Sequence, residues 1–392
     1  MLGGVLLVAC RGASPQSVDE RQLAQLVDSL MPPVATATGL QFKSAPKSAV
    51  RSRAQIRQYL IAKLGRELPP ERLDGISATY RLLGMIPDSL DLRRLFLDLY
   101  TEQIAGFYDP DSTTLFAVAG ADPAQLRLVL AHELVHALQD QYLALDSILH
   151  DASDGDRQAA AQAVLEGQAT LASIVAFVPG TDIIDNDAFW SNFREQLRVQ
   201  QTGASIFARA PMVIREGLVF PYVDGADFVR WFDRNHPGET PYGKAMPAST
   251  EEILHPDRYA RGDAPVAVRF RGDTAGVEFE DTFGEFDVDL LLATLRHATV
   301  VRTDSALGWG GDRLRIYRSG GGPALVWVSV WDDSASASGF LRNAAGPVAA
   351  APSSGYRGEA SSVAGLGRPA VRLVLAPRSW PGWKSLPTAE LR

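Results

Sequence analysis

The chain has few of the residues that staple or charge a small scaffold. It holds one cysteine in 392 residues, Cys10. No intrachain disulfide can form, so stability has to come from a packed core. Histidine is scarce as well, with six in the whole chain. There is no tandem repeat and no long Lys/Arg run, and the formal net charge is -8. That balance argues against nucleic acid as a main partner, because phosphate binding calls for a basic surface. No internal apolar run reaches the roughly 20 residues that span a bilayer. What is present is a long chain of ordinary hydrophobic content, enough for a large core and two folding units.

Two of the scarce histidines lie four residues apart. His132-Glu133-Leu134-Val135-His136 reads H-E-x-x-H inside Pro123–Tyr142, where Leu128, Val129, Leu134, Val135 and Leu138 recur at helical spacing. Positions i and i+4 share a helix face, so both imidazoles can reach one metal ion. Glu133 sits beside them, placed to act as a base on a water at that metal. A catalytic metal also needs a third protein ligand and an open position.

Downstream, Arg157–Ala176 is alanine-rich and favours helix. Its single carboxylate, Glu166, is flanked by Val164, Leu165, Gly167 and Ala169. On an apolar face such a group needs a metal or a partner. On a polar face, shared with Gln162 and Gln168, it is only a solvated glutamate. Gly167 offers this helix a close approach to the H-E-x-x-H helix.

H-E-x-x-H followed by a glutamate on a second helix resembles the gluzincin division of the zincin metallopeptidases. The resemblance implies zinc held by His132, His136 and Glu166, with Glu133 as general base and a protein or peptide as substrate. The chain departs from the pattern at Thr170, where many gluzincins carry an aspartate that orients a ligand histidine. His132 then needs another partner. A wider resemblance runs over residues 90 to 345 to a group of uncharacterised bacterial proteins taken to be metallopeptidases. It is carried by Glu102-Gln-Ile-Ala-Gly-Phe-Tyr-Asp-Pro110, Leu165-Glu-Gly-Gln-Ala-Thr170, Phe220-Pro-Tyr-Val-Asp-Gly225, Ser249-Thr-Glu-Glu-Ile-Leu-His-Pro256 and Gly308-Trp-Gly-Gly-Asp312.

Peptide hydrolysis creates an oxyanion, which calls for a donor facing the metal. Tyr222 and His255 lead the candidates because both lie in those shared strings; His236 and Tyr108 follow. Thr113 to Ala119 reads as a strand beside the metal helix, either the edge on which an extended substrate pairs or one arm of a structural hairpin.

The expected fold is α+β: a mainly helical, zincin-like domain followed by a smaller C-terminal α+β domain. Residues 1–17 form a tether, 18–263 the helical region with the catalytic site, and 264–392 the second unit. Within the first, a helix capped by Ser17 or Asp19 stops at Met31-Pro32-Pro33, and another spans Ser48 to Leu64. The C-terminal unit reads as an antiparallel sheet with Gly308-Trp-Gly-Gly-Asp312 as a turn-rich rim.

The first ten residues are apolar and end in Leu7-Val8-Ala9-Cys10, which resembles the signal peptide of bacterial lipoproteins. That resemblance implies lipid anchoring through Cys10 at a membrane surface of the cell envelope. The competing reading is a fortuitous cysteine near a terminus. Three functions stay open: a zinc peptidase, a non-catalytic zinc-binding envelope lipoprotein that binds peptides or a cell-envelope partner, and a zinc hydrolase or amidase of another substrate class.

Overall fold

The computed structural model describes residues 18–392 except 144, 146–147, 149–153, 179–183, 201–204, 273, 302–304 and 351–354. Cys10 and the 1–17 tether lie outside the described residues.

Helix α1 (Glu20–Thr38) opens on a reciprocal cap between Asp19 and Gln22. It does not stop at Met31-Pro32-Pro33 but runs on through both prolines to Gly39, whose φ is +70°. Leu30, Val34 and Ala35 are buried on either side of the break. Packing of that stripe outweighs the backbone bonds that two prolines forfeit. Strand β1 (Lys47–Arg51) occupies the start of the expected second helix. It pairs in parallel with β3, a long-range contact that local propensity does not register. Helix α2 (Arg53–Glu67) begins only at Ser52, which forms a capping box with Gln55. Helices α3 (Pro70–Leu82) and α4 (Leu92–Gln103) follow.

Strands β2 (Gly106–Asp109) and β3 (Thr114–Val118) complete a small sheet in the order β1-β3-β2. Strand β3 is therefore its middle strand. Both of its edges are taken, so the Thr113–Ala119 segment has no edge on which an extended substrate could pair.

Helix α5 (Pro123–Tyr142) carries the H-E-x-x-H segment and starts at an Asp122 cap. Helix α6 (Gly155–Phe177) starts at an Asp154 cap and carries Glu166. By length and composition α6 could cross a membrane, contrary to the reading that no internal segment could. Its place is the middle of the fold, with most of its apolar window buried. Helices α7 (Asp187–Gln200), α8 (Ile206–Arg209) and α9 (Met212–Asn235) come next. Helix α9 is longer than its sequence suggests and passes through Pro221, with Val219, Phe220 and Tyr222 buried around it. Two short helices, α10 (Thr250–Leu254) and α11 (Pro256–Arg261), close this region.

The close approach offered by Gly167 is made to α9 rather than α5. A Cβ on Gly167 would stand 2.2 Å from the Gly225 carbonyl carbon, and one on Gly225 would stand 2.1 Å from the Ala163 carbonyl oxygen. Two glycines face each other's helix because no side chain fits between the backbones.

The C-terminal part contains β4 (Val268–Arg271), β5 (Val277–Asp281), α12 (Gly284–Leu295), β6 (Trp309–Tyr317), β7 (Ala324–Trp331), α13 (Ser334–Ala350), β8 (Tyr356–Val363), β9 (Ala370–Pro377) and β10 (Thr388–Leu391). Five strands form one antiparallel sheet, β5-β6-β7-β9-β8, and β4 pairs separately with β10. Both faces of β7 are buried. Leu325, Trp327 and Trp331 join the cluster shared with α12 and α13, while Val326, Val328 and Val330 face Val268 and Phe270 of β4. A strand buried on both faces reads as an unbroken apolar run.

Gly308-Trp-Gly-Gly-Asp312 is not a rim. Most of it lies inside β6 at a bulge between Trp309 and Gly311. Asp312 accepts the backbone N–H groups of Phe283 and Gly284 at 3.0 Å each and the indole N–H groups of Trp309 and Trp327 at 3.2 and 2.8 Å. It fixes the start of α12 to the sheet. The largest apolar cluster contains Leu73, Trp190 and Phe228 of the helical region together with Leu325, Trp327 and Leu373 of the sheet. Residue 263 marks a change in secondary structure, with one core running across it.

Candidate metal centre

Helices α5 and α6 pack side by side and bring three side chains to one point. His132 Nε2 and His136 Nε2 lie 3.2 Å apart, and Glu166 Oε2 lies 3.0 Å from the first and 3.2 Å from the second. All three residues are buried, at 0%, 1% and 0% exposure. Ligands about 2.0–2.1 Å from a tetrahedral ion stand roughly 3.3–3.4 Å apart, so the three atoms are spaced as a metal would hold them.

The orientation of His136 is set by Gln139, three residues on. Gln139 Nε2 donates to the Leu165 carbonyl at 3.0 Å, which turns its Oε1 toward His136 Nδ1 at 2.8 Å. Nδ1 therefore carries the hydrogen, and Nε2 points its lone pair into the cluster. Gln139 is itself held by Gln168 and by the hydroxyl of Tyr242. Among the described residues no such partner serves His132. Its Nδ1 and the hydroxyl of Thr170 are both buried without a hydrogen bond.

The carboxylate and the imidazoles shift one another's protonation. Burial acts to raise Glu166, but His136 and His132 outweigh it and bring the carboxyl down to about 2. Burial acts to lower His136, and the Glu166 charge outweighs it, lifting the imidazole to about 9. His132 is lowered, chiefly by burial. Burial also raises Glu133, to about 8. Glu133 is fully buried and accepts the Tyr108 backbone N–H at 2.8 Å through Oε2. Among the described residues its Oε1 and the Oε1 of Glu166 have no donor. One carboxylate and two imidazoles, all buried, match the donor set of a divalent transition metal. His132, His136 and Glu166 form a buried group that can hold a metal ion.

Tyr222 is the one oxyanion candidate brought to this point. Its ring centroid is 5.8 Å from that of His132. Burial lifts its phenol far above the ordinary value, and the charges of Glu166 and Glu133 push it further, so it stays a proton donor. The glycine crossing accounts for the placement: Gly167 follows Glu166 directly, and Gly225 is one turn beyond Tyr222. His255 is elsewhere, with Nε2 3.1 Å from Glu285. Its helix is tied to the start of α6, where Asp156 accepts both the N–H and the hydroxyl of Thr250. Glu166 lies ten residues further along α6, about 15 Å at helical rise. His236 stacks on Phe232, and the Tyr108 hydroxyl donates to Asp140 at 2.8 Å.

Sequence reasoning missed one contributor. Tyr242 reaches Gln139 and Gln168 from the Pro- and Gly-rich stretch after α9, where no periodic pattern marks it.

Residues 271–370 match the model of a family described as Domain of unknown function (DUF8575). This stretch covers part of β4 and most of the C-terminal sheet and excludes the metal-binding group. No curated protein and no solved structure matches the chain.

Proposed function

We propose that the protein is a zinc-dependent peptidase that hydrolyses protein or peptide substrates with Glu133 as general base. The observation that carries this reading is the convergence of His132 Nε2, His136 Nε2 and Glu166 Oε2 on one point, with the unpartnered Glu133 Oε1 beside it. Zinc held by these three residues would polarise the scissile carbonyl and acidify a water there. Glu133, fixed by the Tyr108 N–H through one oxygen, takes the proton from the attacking water with the other and returns it to the leaving amine. Tyr222 donates to the oxygen on which negative charge develops.

The competing reading, an envelope lipoprotein that binds zinc and peptides without catalysis, is favoured by a closed four-ligand site. Among the described residues three side chains converge, which leaves a position for the reacting oxygen. The same proposal places the protein outside the cytoplasm, anchored by lipid on Cys10; the support is the Leu7-Val8-Ala9-Cys10 pattern.

Elemental analysis is expected to find one zinc per chain. Glu133→Gln is expected to keep that zinc and to lose chelator-sensitive cleavage of a peptide library. Absence of zinc after reconstitution, or full activity in the glutamine variant, overturns the reading.

A further inference from the structure

A half-open cavity of about 520 Å³ lies where the start of α6 meets β4 and β6. Asp156, which lines it, is ten residues before Glu166, about 15 Å at helical rise. The recess is therefore separate from the metal-binding group.

Four carboxylates line it, and each already accepts from the protein. Asp154 caps α6 through the Arg157 N–H. Asp156 accepts the N–H and the hydroxyl of Thr250, and Asp312 accepts four N–H groups. Glu280 lies between two guanidiniums, 2.8 Å from Arg313 Nε and 2.5 Å from Arg315 Nε. One carboxylate between two guanidiniums leaves this corner with a surplus positive charge.

Arg315 has a donor to spare. The residue is 5% exposed, and the face of its guanidinium is covered by the Phe270 ring, 4.9 Å from the centroid. Its Nη1 is buried with no hydrogen-bond partner among the described residues. Tyr317 is two residues on, along the same face of β6. Its hydroxyl stands near the guanidinium with no hydrogen bond between them, and it too is buried without a partner. A buried charged donor without an acceptor costs stability, which an oxyanion seated on it restores. Arg157 and Arg269 line the same recess and add positive charge to its walls.

We propose that this recess binds a small-molecule oxyanion, a phosphate or carboxylate group, anchored on Arg315 Nη1. Neither metal nor turnover enters the proposal, so it stands apart from the peptidase reading. The test is calorimetry on the full chain in low salt, with inorganic phosphate and with succinate as probes. At least one of them is expected to fill one such site per chain, more weakly as salt is raised. Arg315→Gln leaves Glu280 its pair with Arg313. It is expected to weaken binding by roughly tenfold or more, the scale of one charge-assisted hydrogen bond. Arg157→Gln alters only an exposed residue in the first turn of α6 and is expected to weaken binding by roughly two- to fivefold. That variant carries the test should Arg315→Gln not fold. Binding of phosphate alone assigns the site to a phosphorylated ligand, and binding of succinate alone to a carboxylate. Heat from neither probe overturns the proposal. So does an affinity unmoved by the substitutions, which places the anion at the metal instead.

Discussion

Tyr222 and His255 are both polar residues before or after a proline, in strings of similar character, yet the fold uses them differently. Tyr222 sits against His132, while His255 Nε2 lies 3.1 Å from Glu285 of α12. In the proposed reaction the phenol is a donor to the transition state. Tyr222→Phe is expected to lower kcat by about 10²- to 10³-fold, the loss seen on removing one such donor. Zinc content should not change, which separates a lost donor from a lost metal site; stopped-assay rates with parallel elemental analysis check both. The residues legible in advance were those whose spacing along one helix carries the meaning. His132, Glu133 and His136 needed only the 3.6-residue turn, and Gln139 extends the same face to His136. Tyr242 reaches the site from another element, so no local spacing could mark it.

Among the elements, the crossing of α6 and α9 decides the geometry of the site. Gly167 and Gly225 bring the helices to backbone contact, and that contact sets the distance from Tyr222 to Glu166. Gly225→Ala would place a methyl 2.1 Å from the Ala163 carbonyl oxygen, so the helices must part. The expected cost is about 1–3 kcal/mol of stability, as for other overpacked cores, with a lower melting temperature and reduced activity. Gly217→Ala on the same helix meets nothing within 4 Å and serves as the control for helix propensity. Thermal melts of the two variants side by side check this; equal melting temperatures would show that the crossing is not tight. The elements also show where local reading fails. Proline 32 and 33 looked like a stop and the residues after Ser48 like a helix. A buried stripe carried α1 through the first, and pairing with β3 took Lys47–Arg51 into a sheet.

Across the whole molecule, some half-buried carboxyls hold their protons more tightly in the folded state. Burial raises Asp224 and Asp287 to about 7, and neighbouring carboxylates add to each. In the unfolded chain both return to the ordinary range near 4. The folded state therefore binds more protons than the unfolded state between about pH 4 and 7. Stability from these groups is present below pH 4 and is lost as pH rises through 7. The melting temperature is expected to fall between pH 5 and pH 8 once acid effects elsewhere are past, and Asp287→Asn is expected to flatten that slope. A scan of melting temperature against pH for both proteins checks the sign.

The sequence by itself determined which side chains could hold a metal ion. A helix has a fixed period, so H-E-x-x-H placed two imidazoles and a carboxylate on α5 whatever surrounded it, and an isolated carboxylate in an alanine-rich helix marked Glu166. It also determined the α+β character, since alternating and helical periods are local properties. The tertiary structure decided everything that depends on two backbones meeting. It brought Tyr222 rather than His255 beside His132 and seated β3 in the middle of its sheet. It turned Asp312 from a rim residue into the anchor of α12, and it ran one core across residue 263. Those outcomes depend on packing between distant segments, whose free energy no window of sequence contains.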